Sequence, residues 1–117
     1  MKSNPKNNGV VLIVDDDPDA ISMLNAALSE ANMTALVALS GEQALTIARR
    51  IRPDLILMDA MMPGMDGFEA CQKIKADAVI AHIPVVFMTG LSASEDMVKG
   101  FDSGGIDYVT KPIDLKA

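Results

Sequence analysis

The sequence predicts a doubly wound α/β domain, a parallel sheet with helices on both faces. Two observations carry this. Five short runs are apolar throughout and do not alternate, as strands buried on both faces require, and the stretches between them shift to a period near 3.6. The length agrees, since 117 residues suit one ordinary domain.

Residues 1–8 read as a disordered polar leader, with the folded domain over 9–117. The first strand is the run VVLIV at 10–14. Asp17 suits the cap of the helix that follows and Pro18 its first position, while Ile21, Leu24, Leu28 and Ala31 fall on one stripe. The second strand is TALVA at 34–38. Ser40 and Gln43 can form a capping box opening a second helix through Ala44, Ala48 and Ile51, which stops before Pro53. A third strand follows at 54–58. Asp66 and Glu69 then open a helix carrying Phe68, Cys71 and Ile74. The fourth strand is expected at 83–88. Ser92 and Glu95 open a fourth helix with Met97, Val98 and Phe101, closed by Gly104 and Gly105. The fifth strand is expected at 106–109. Right-handed crossovers place the helices on both faces of the sheet.

Composition narrows the function. Sixteen acids against ten bases give a formal charge of −6, which argues against direct nucleic-acid binding by this segment. Twelve of the acids are Asp, the shorter carboxylate, which favours caps, loops and metal sites over helix faces. A single cysteine excludes an internal disulfide framework and a Cys-rich zinc site. Three Phe, one Tyr and no Trp offer no stacking platform for single-stranded nucleic acid. The apolar run at 10–14 is too short for a signal peptide or a membrane span. A small acidic cytoplasmic domain with no membrane partner is expected.

In an open parallel sheet, ligands sit beyond the carboxyl ends of the strands. Asp15, Asp16 and Asp17 follow the first run, Asp59 the third, Thr89 the fourth, and Thr110 with Lys111 the fifth. Asp15, Asp16 and Asp59 close together repel, by about 4 kcal/mol for a pair 4 Å apart at an effective dielectric near 20. A hard divalent cation relieves this without neutralising the carboxylates. Carboxylates with a backbone carbonyl and waters make an oxygen site of the Mg²⁺ type, which can admit a phosphoryl group. Asp can itself be the nucleophile, and Lys111 with the Thr89 hydroxyl would then meet the remaining phosphoryl oxygens.

The strings VLIVDDDPD, DLILMDAMMPGMDGFE, IPVVFMTG and GGIDYVTKPID, in that order and spacing, make the chain resemble the receiver domain of bacterial two-component response regulators over essentially all of 9–117. The resemblance implies a flavodoxin-like five-stranded sheet in the order 2-1-3-4-5. It implies Asp59 as phosphoacceptor, Asp16 bound directly to Mg²⁺, Asp15 bound largely through water, and the backbone carbonyl of Met61 as a further ligand. Lys111 would contact the phosphoryl group, ahead of a cis bond to Pro112, and Thr89 and Tyr108 would form the conformational switch pair. The implied partners are a sensor histidine kinase or phosphotransfer protein and a downstream output domain or protein. Such a domain catalyses its own phosphotransfer and dephosphorylation and is not a metabolic enzyme. The places that govern water access lie two residues after the phosphoacceptor and two after the switch threonine. Here they are Met61 and Leu91, both apolar, which implies a long-lived phosphorylated state.

Other residues read more plainly. Asp17 is a helix cap rather than a ligand. Met61, Met62 and Met65 suit adaptable loop packing better than a soft metal site. Cys71 is a small buried hydrophobe. His82 is solvated, which leaves no histidine nucleophile or base here; the resemblance then implies a partner's phosphohistidine as phosphoryl donor, with a small acyl phosphate as the alternative. The rival reading is a haloacid-dehalogenase-like phosphatase with Asp15 as nucleophile and Asp17 as general acid. The short chain and the helix-start character of Pro18 and Asp19 count against it. Receivers also carry a fifth helix, here truncated to residues 113–117. Its absence would forfeit burial of three or four side chains at about 1.5–3 kcal/mol each. The expectation is a fragment of a longer chain, marginally stable alone or covering an apolar patch by dimerising.

Overall fold

A computed structural model describes residues 9–62, 64–89 and 107–110. The chain runs β1 (Val10–Val14), α1 (Pro18–Glu30), β2 (Thr34–Ala38), α2 (Gly41–Ile51), β3 (Leu55–Asp59), α3 (Gly67–Ala76), β4 (Val85–Thr89) and β5 (Asp107–Thr110). The five strands form one sheet in the order β2-β1-β3-β4-β5, with every neighbouring pair parallel. The expected class and strand order are therefore those observed. The fourth helix expected from Ser92, and everything expected after Thr110, lie outside the described residues.

The sheet separates two apolar layers, because successive side chains of a strand point to opposite faces. Leu12 and Val14 of β1, with Ile56, Met58, Val85 and Phe87, face α2 and α3. Val11 and Ile13, with Leu57 and Met88, meet Leu24 and Leu28 of α1. The Phe68 and Phe87 rings lie 5.0 Å apart and tilted, joining α3 to β4. This two-sided burial is why β1 and β3 read as unbroken apolar runs.

Local chemistry sets the element ends. The Asp17 carboxylate accepts the Asp19 N–H at 3.1 Å and caps α1, with Pro18 in the first turn as expected. Ser40 caps α2 by accepting the Gln43 N–H at 3.1 Å. The return arm differs from a capping box: Gln43 Oε1 accepts the N–H of Leu39, one residue upstream of the cap, at 2.8 Å. α2 closes on Arg52 in the left-handed region at φ 55°, just before Pro53. Asp66 caps α3 through the Glu69 N–H at 2.9 Å.

Three strands start one or two residues later than expected. Asp54 is excluded from β3 because its carboxylate takes the Val10 N–H at 2.8 Å while its own N–H bonds the Val10 carbonyl. The side chain thus does work at the start of β1 that a strand residue could not. β4 starts at Val85, since Pro84 has no N–H to give; its carbonyl accepts the Ile56 N–H at 3.0 Å. β5 is shifted by one residue from the expected 106–109, starting at Asp107 and ending at Thr110.

Two cationic side chains brace the end of α3. Lys75 donates to the carbonyls of Ala81 at 3.0 Å and Ile83 at 2.6 Å, fixing the approach to β4. Arg49 of α2 bonds Asp77 at 2.7 Å, and with the Val79 N–H it holds the Asp77 carboxyl below its usual range.

Candidate functional site

Because every strand runs the same way, their carboxyl ends share one rim. Register fixes the level: Val14 lies opposite Ala38 and Met58, and Asp59 lies opposite Met88. The ladder continues one step past the strand ends. The Asp15 N–H bonds the Ala38 carbonyl at 3.1 Å, and the Ala60 N–H bonds the Met88 carbonyl at 3.0 Å. Asp15 and Asp59 are thereby brought to adjacent places at the edge of the core.

Carboxylate oxygens of Asp15, Asp16 and Asp59 lie within 4.8 Å of one another, and among the described residues this is the cluster able to hold a metal ion. Asp15 is fully buried and Asp59 is 6% exposed, while Asp16 is open to solvent. Two buried like charges at that spacing repel by on the order of 3 kcal/mol at a dielectric near 20. The site therefore holds stored electrostatic cost and an open side through which a counter-charge can enter.

The surrounding backbone fixes the carboxylates. Asp15 Oδ1 accepts the Asp17 N–H at 3.0 Å, so one aspartate turns the chain and the next but one caps α1. Asp59 Oδ1 accepts the Met61 N–H at 3.3 Å, which sets the plane of its carboxylate. The helix that follows is pressed against this loop. The Gly67 N–H bonds the Ala60 carbonyl at 3.0 Å, and a Cβ at 67 would collide with the Asp59 carbonyl oxygen. Gly67 was missed in the sequence, although the Asp66-Gly67 pair at a helix start is the signal that could have found it.

The donor set is entirely oxygen: three carboxylates at a rim open to water. That chemistry fits a hard divalent cation keeping part of its water shell. Asp17 spends its side chain on the α1 cap, as expected, which leaves it poorly suited to the general-acid role of the rival phosphatase reading.

Of the other expected site residues, Met61 begins the loop after Asp59, with its side chain 66% exposed. Thr89 ends β4 opposite Thr110, one residue beyond the partner of Asp59, and Tyr108 of β5 lies opposite Phe87. The backbones of Thr89 and Tyr108 are described, and their side chains are not. Lys111 lies outside the described residues. Cys71 is fully buried, and burial pushes its thiol up to about 11, as a small core hydrophobe. His82 is exposed. No helix among the described residues is long and apolar enough to cross a membrane.

Comparison with known proteins follows the same lines. The chain matches the family model of the response regulator receiver domain over residues 11–117. It is 45% identical over 104 residues to the response regulator PleD of Caulobacter vibrioides, covering 89% of this chain and 23% of that protein. It is 40% identical over 106 residues to the DNA-binding dual master transcriptional regulator RpaA of Synechocystis, covering 91% of this chain and 44% of that protein. The chain thus spans less than half the length of either relative. Among solved structures, the N-terminal domain of a response regulator receiver protein from Methanoculleus marisnigri superposes with a TM-score of 0.83 at 32% identity, covering 90% of this chain and 85% of that one.

Proposed function

Since this chain belongs to the response regulator receiver domain family, we propose that it accepts a phosphoryl group on Asp59 and passes the resulting change to an output partner. The observation that carries the reading is the convergence of Asp15, Asp16 and Asp59 on one rim, with Asp59 seated at the end of a central strand.

In the proposed reaction an Asp59 carboxylate oxygen attacks phosphorus, and the bond from phosphorus to the donor breaks in line. The donor is a partner's phosphohistidine or a small acyl phosphate. The Met61 N–H on Oδ1 holds the carboxylate in one plane as the new bond forms. Asp15, Asp16 and Asp59, with the carbonyl of Met61, would hold Mg²⁺. When bound, that ion offsets the carboxylate charge and draws in the phosphoryl oxygens. Lys111 takes a further phosphoryl oxygen, and the Thr89 hydroxyl takes another while Tyr108 responds. The chain would thus catalyse its own phosphotransfer as a signalling domain.

The kinase side of the proposal is a sensor histidine kinase or phosphotransfer protein. The output side is a domain or protein whose activity follows the state of the rim. RpaA is a DNA-binding regulator, and the acidic balance of this chain assigns such binding to a separate output module.

Acetyl phosphate supplies the test. Incubation with Mg²⁺ should place one base-labile, hydroxylamine-labile phosphoryl group on Asp59, located by trapping and peptide mass spectrometry. Label on Asp15 would support the phosphatase reading and overturn this one.

A further inference from the structure

The methionines around the acidic cluster divide sharply by exposure. Met58 and Met88 are fully buried and Met62 is 8% exposed, all within the core. Met65 is half-buried and packs against the core near Gly41. Met61, two residues after Asp59, is 66% exposed, so most of its side chain lies in water. Its backbone N–H donates to Asp59 Oδ1 at 3.3 Å, so its flexible side chain starts from the main chain that holds that carboxylate.

An exposed thioether is open to hydroperoxides, whereas a buried one is shielded. In that reaction one peroxide oxygen transfers to sulfur: the O–O bond breaks, the S–O bond forms, sulfur gives up two electrons, and the peroxide leaves as water or alcohol. The product replaces a soft sulfur donor with a hard, strongly polar oxygen. Hard cations such as Mg²⁺ take oxygen and refuse thioether sulfur. We propose that Met61 is a peroxide-sensitive modification site whose sulfoxide oxygen strengthens the hold of Asp15, Asp16 and Asp59 on a divalent cation. The effect on affinity rests on the cation reading of the cluster given above; the site of oxidation does not.

The experiment treats the full chain with dilute hydrogen peroxide and follows it by peptide mass spectrometry and by calorimetric titration with Mg²⁺. Met61→Leu and Met23→Leu are carried in parallel, Met23 being an exposed methionine on α1 at 49%. Met61 and Met23 should gain one oxygen while Met58, Met62 and Met88 do not. Mg²⁺ binding should tighten several-fold in the wild type and in Met23→Leu and stay unchanged in Met61→Leu. Oxidation of Met62 as fast as Met61 overturns the assignment. So does an affinity that is unaltered in the wild type or still altered in Met61→Leu. An untreated chain that binds no Mg²⁺ overturns the cation reading and the claimed effect on affinity, while the mass spectra still decide whether Met61 is the oxidised residue.

Discussion

Position 67 has no room for a side chain because the carbonyl oxygen of Asp59 stands where its Cβ would be. The first turn of α3 is therefore seated directly on the main chain of the acidic residue at the head of the site. Gly67→Ala forces the helix or the loop to move and should cost about 1–3 kcal/mol. Urea unfolding measures the cost. Acetyl phosphate labelling should fall as well, and a variant as stable as wild type would show that the contact yields easily.

Asp59→Asn should abolish labelling and keep the fold, because the amide preserves shape. It also removes one of two buried repelling charges, so in Mg²⁺-free buffer the variant should be at least as stable as wild type, checked by thermal unfolding. Labelling at the wild-type rate contradicts the assignment of Asp59.

Thr89→Ala should leave labelling largely intact and disconnect it from Tyr108. Phosphorylation on this view biases an existing two-state equilibrium. The measurement is the Tyr108 ring signal by NMR with and without phosphoryl donor. An equal response in wild type and variant would mean that Tyr108 is driven by another route.

Met61 and Leu91 offer no polar group to place a hydrolytic water. The phosphorylated state should be long-lived, and Met61→Asn combined with Leu91→Glu should shorten it. The check is the decay of label after donor removal, and an unchanged decay assigns the slow step elsewhere.

Stability at alkaline pH should carry the signature of Cys71. Its thiol titrates near 9 when unfolded and about 11 in the fold. Below pH 9 both states hold the proton and the group contributes nothing. Between 9 and 11 the unfolded state releases it first, so stability falls as pH rises, by roughly 2–3 kcal/mol over the interval. Cys71→Ala should lack that slope, which denaturant melts across the interval will show.

Fold class, capping and the acidic cluster were legible in the residues for separate physical reasons, whereas the strand order came only with the family resemblance. Unbroken apolar runs are what two-sided burial demands, and Asp17, Ser40 and Asp66 cap because short oxygen side chains suit that geometry. What escaped were particular hydrogen-bond partners. Asp54 looked like the start of β3 because its tie to Val10, 44 positions away, leaves no local trace. Lys75 carries no motif that sets it apart, yet it closes a turn by holding the carbonyls of Ala81 and Ile83. Gln43 was paired with the right helix end and the wrong amide, since the choice between neighbouring N–H groups depends on how Leu39 leaves β2.

The extension of the ladder past the strand ends gives the site a mechanical character. Asp15 is tied to Ala38, and Ala60, next to Asp59, is tied to Met88, so the main chain around the two buried carboxylates is part of the sheet. Their amides should exchange with solvent on the timescale of global opening, alongside the core strands. A force applied at the rim therefore finds a fixed anvil beneath Asp15 and Asp59. On the proposed reading, a phosphoryl group on Asp59 should then displace the surroundings of the rim more than the sheet beneath it.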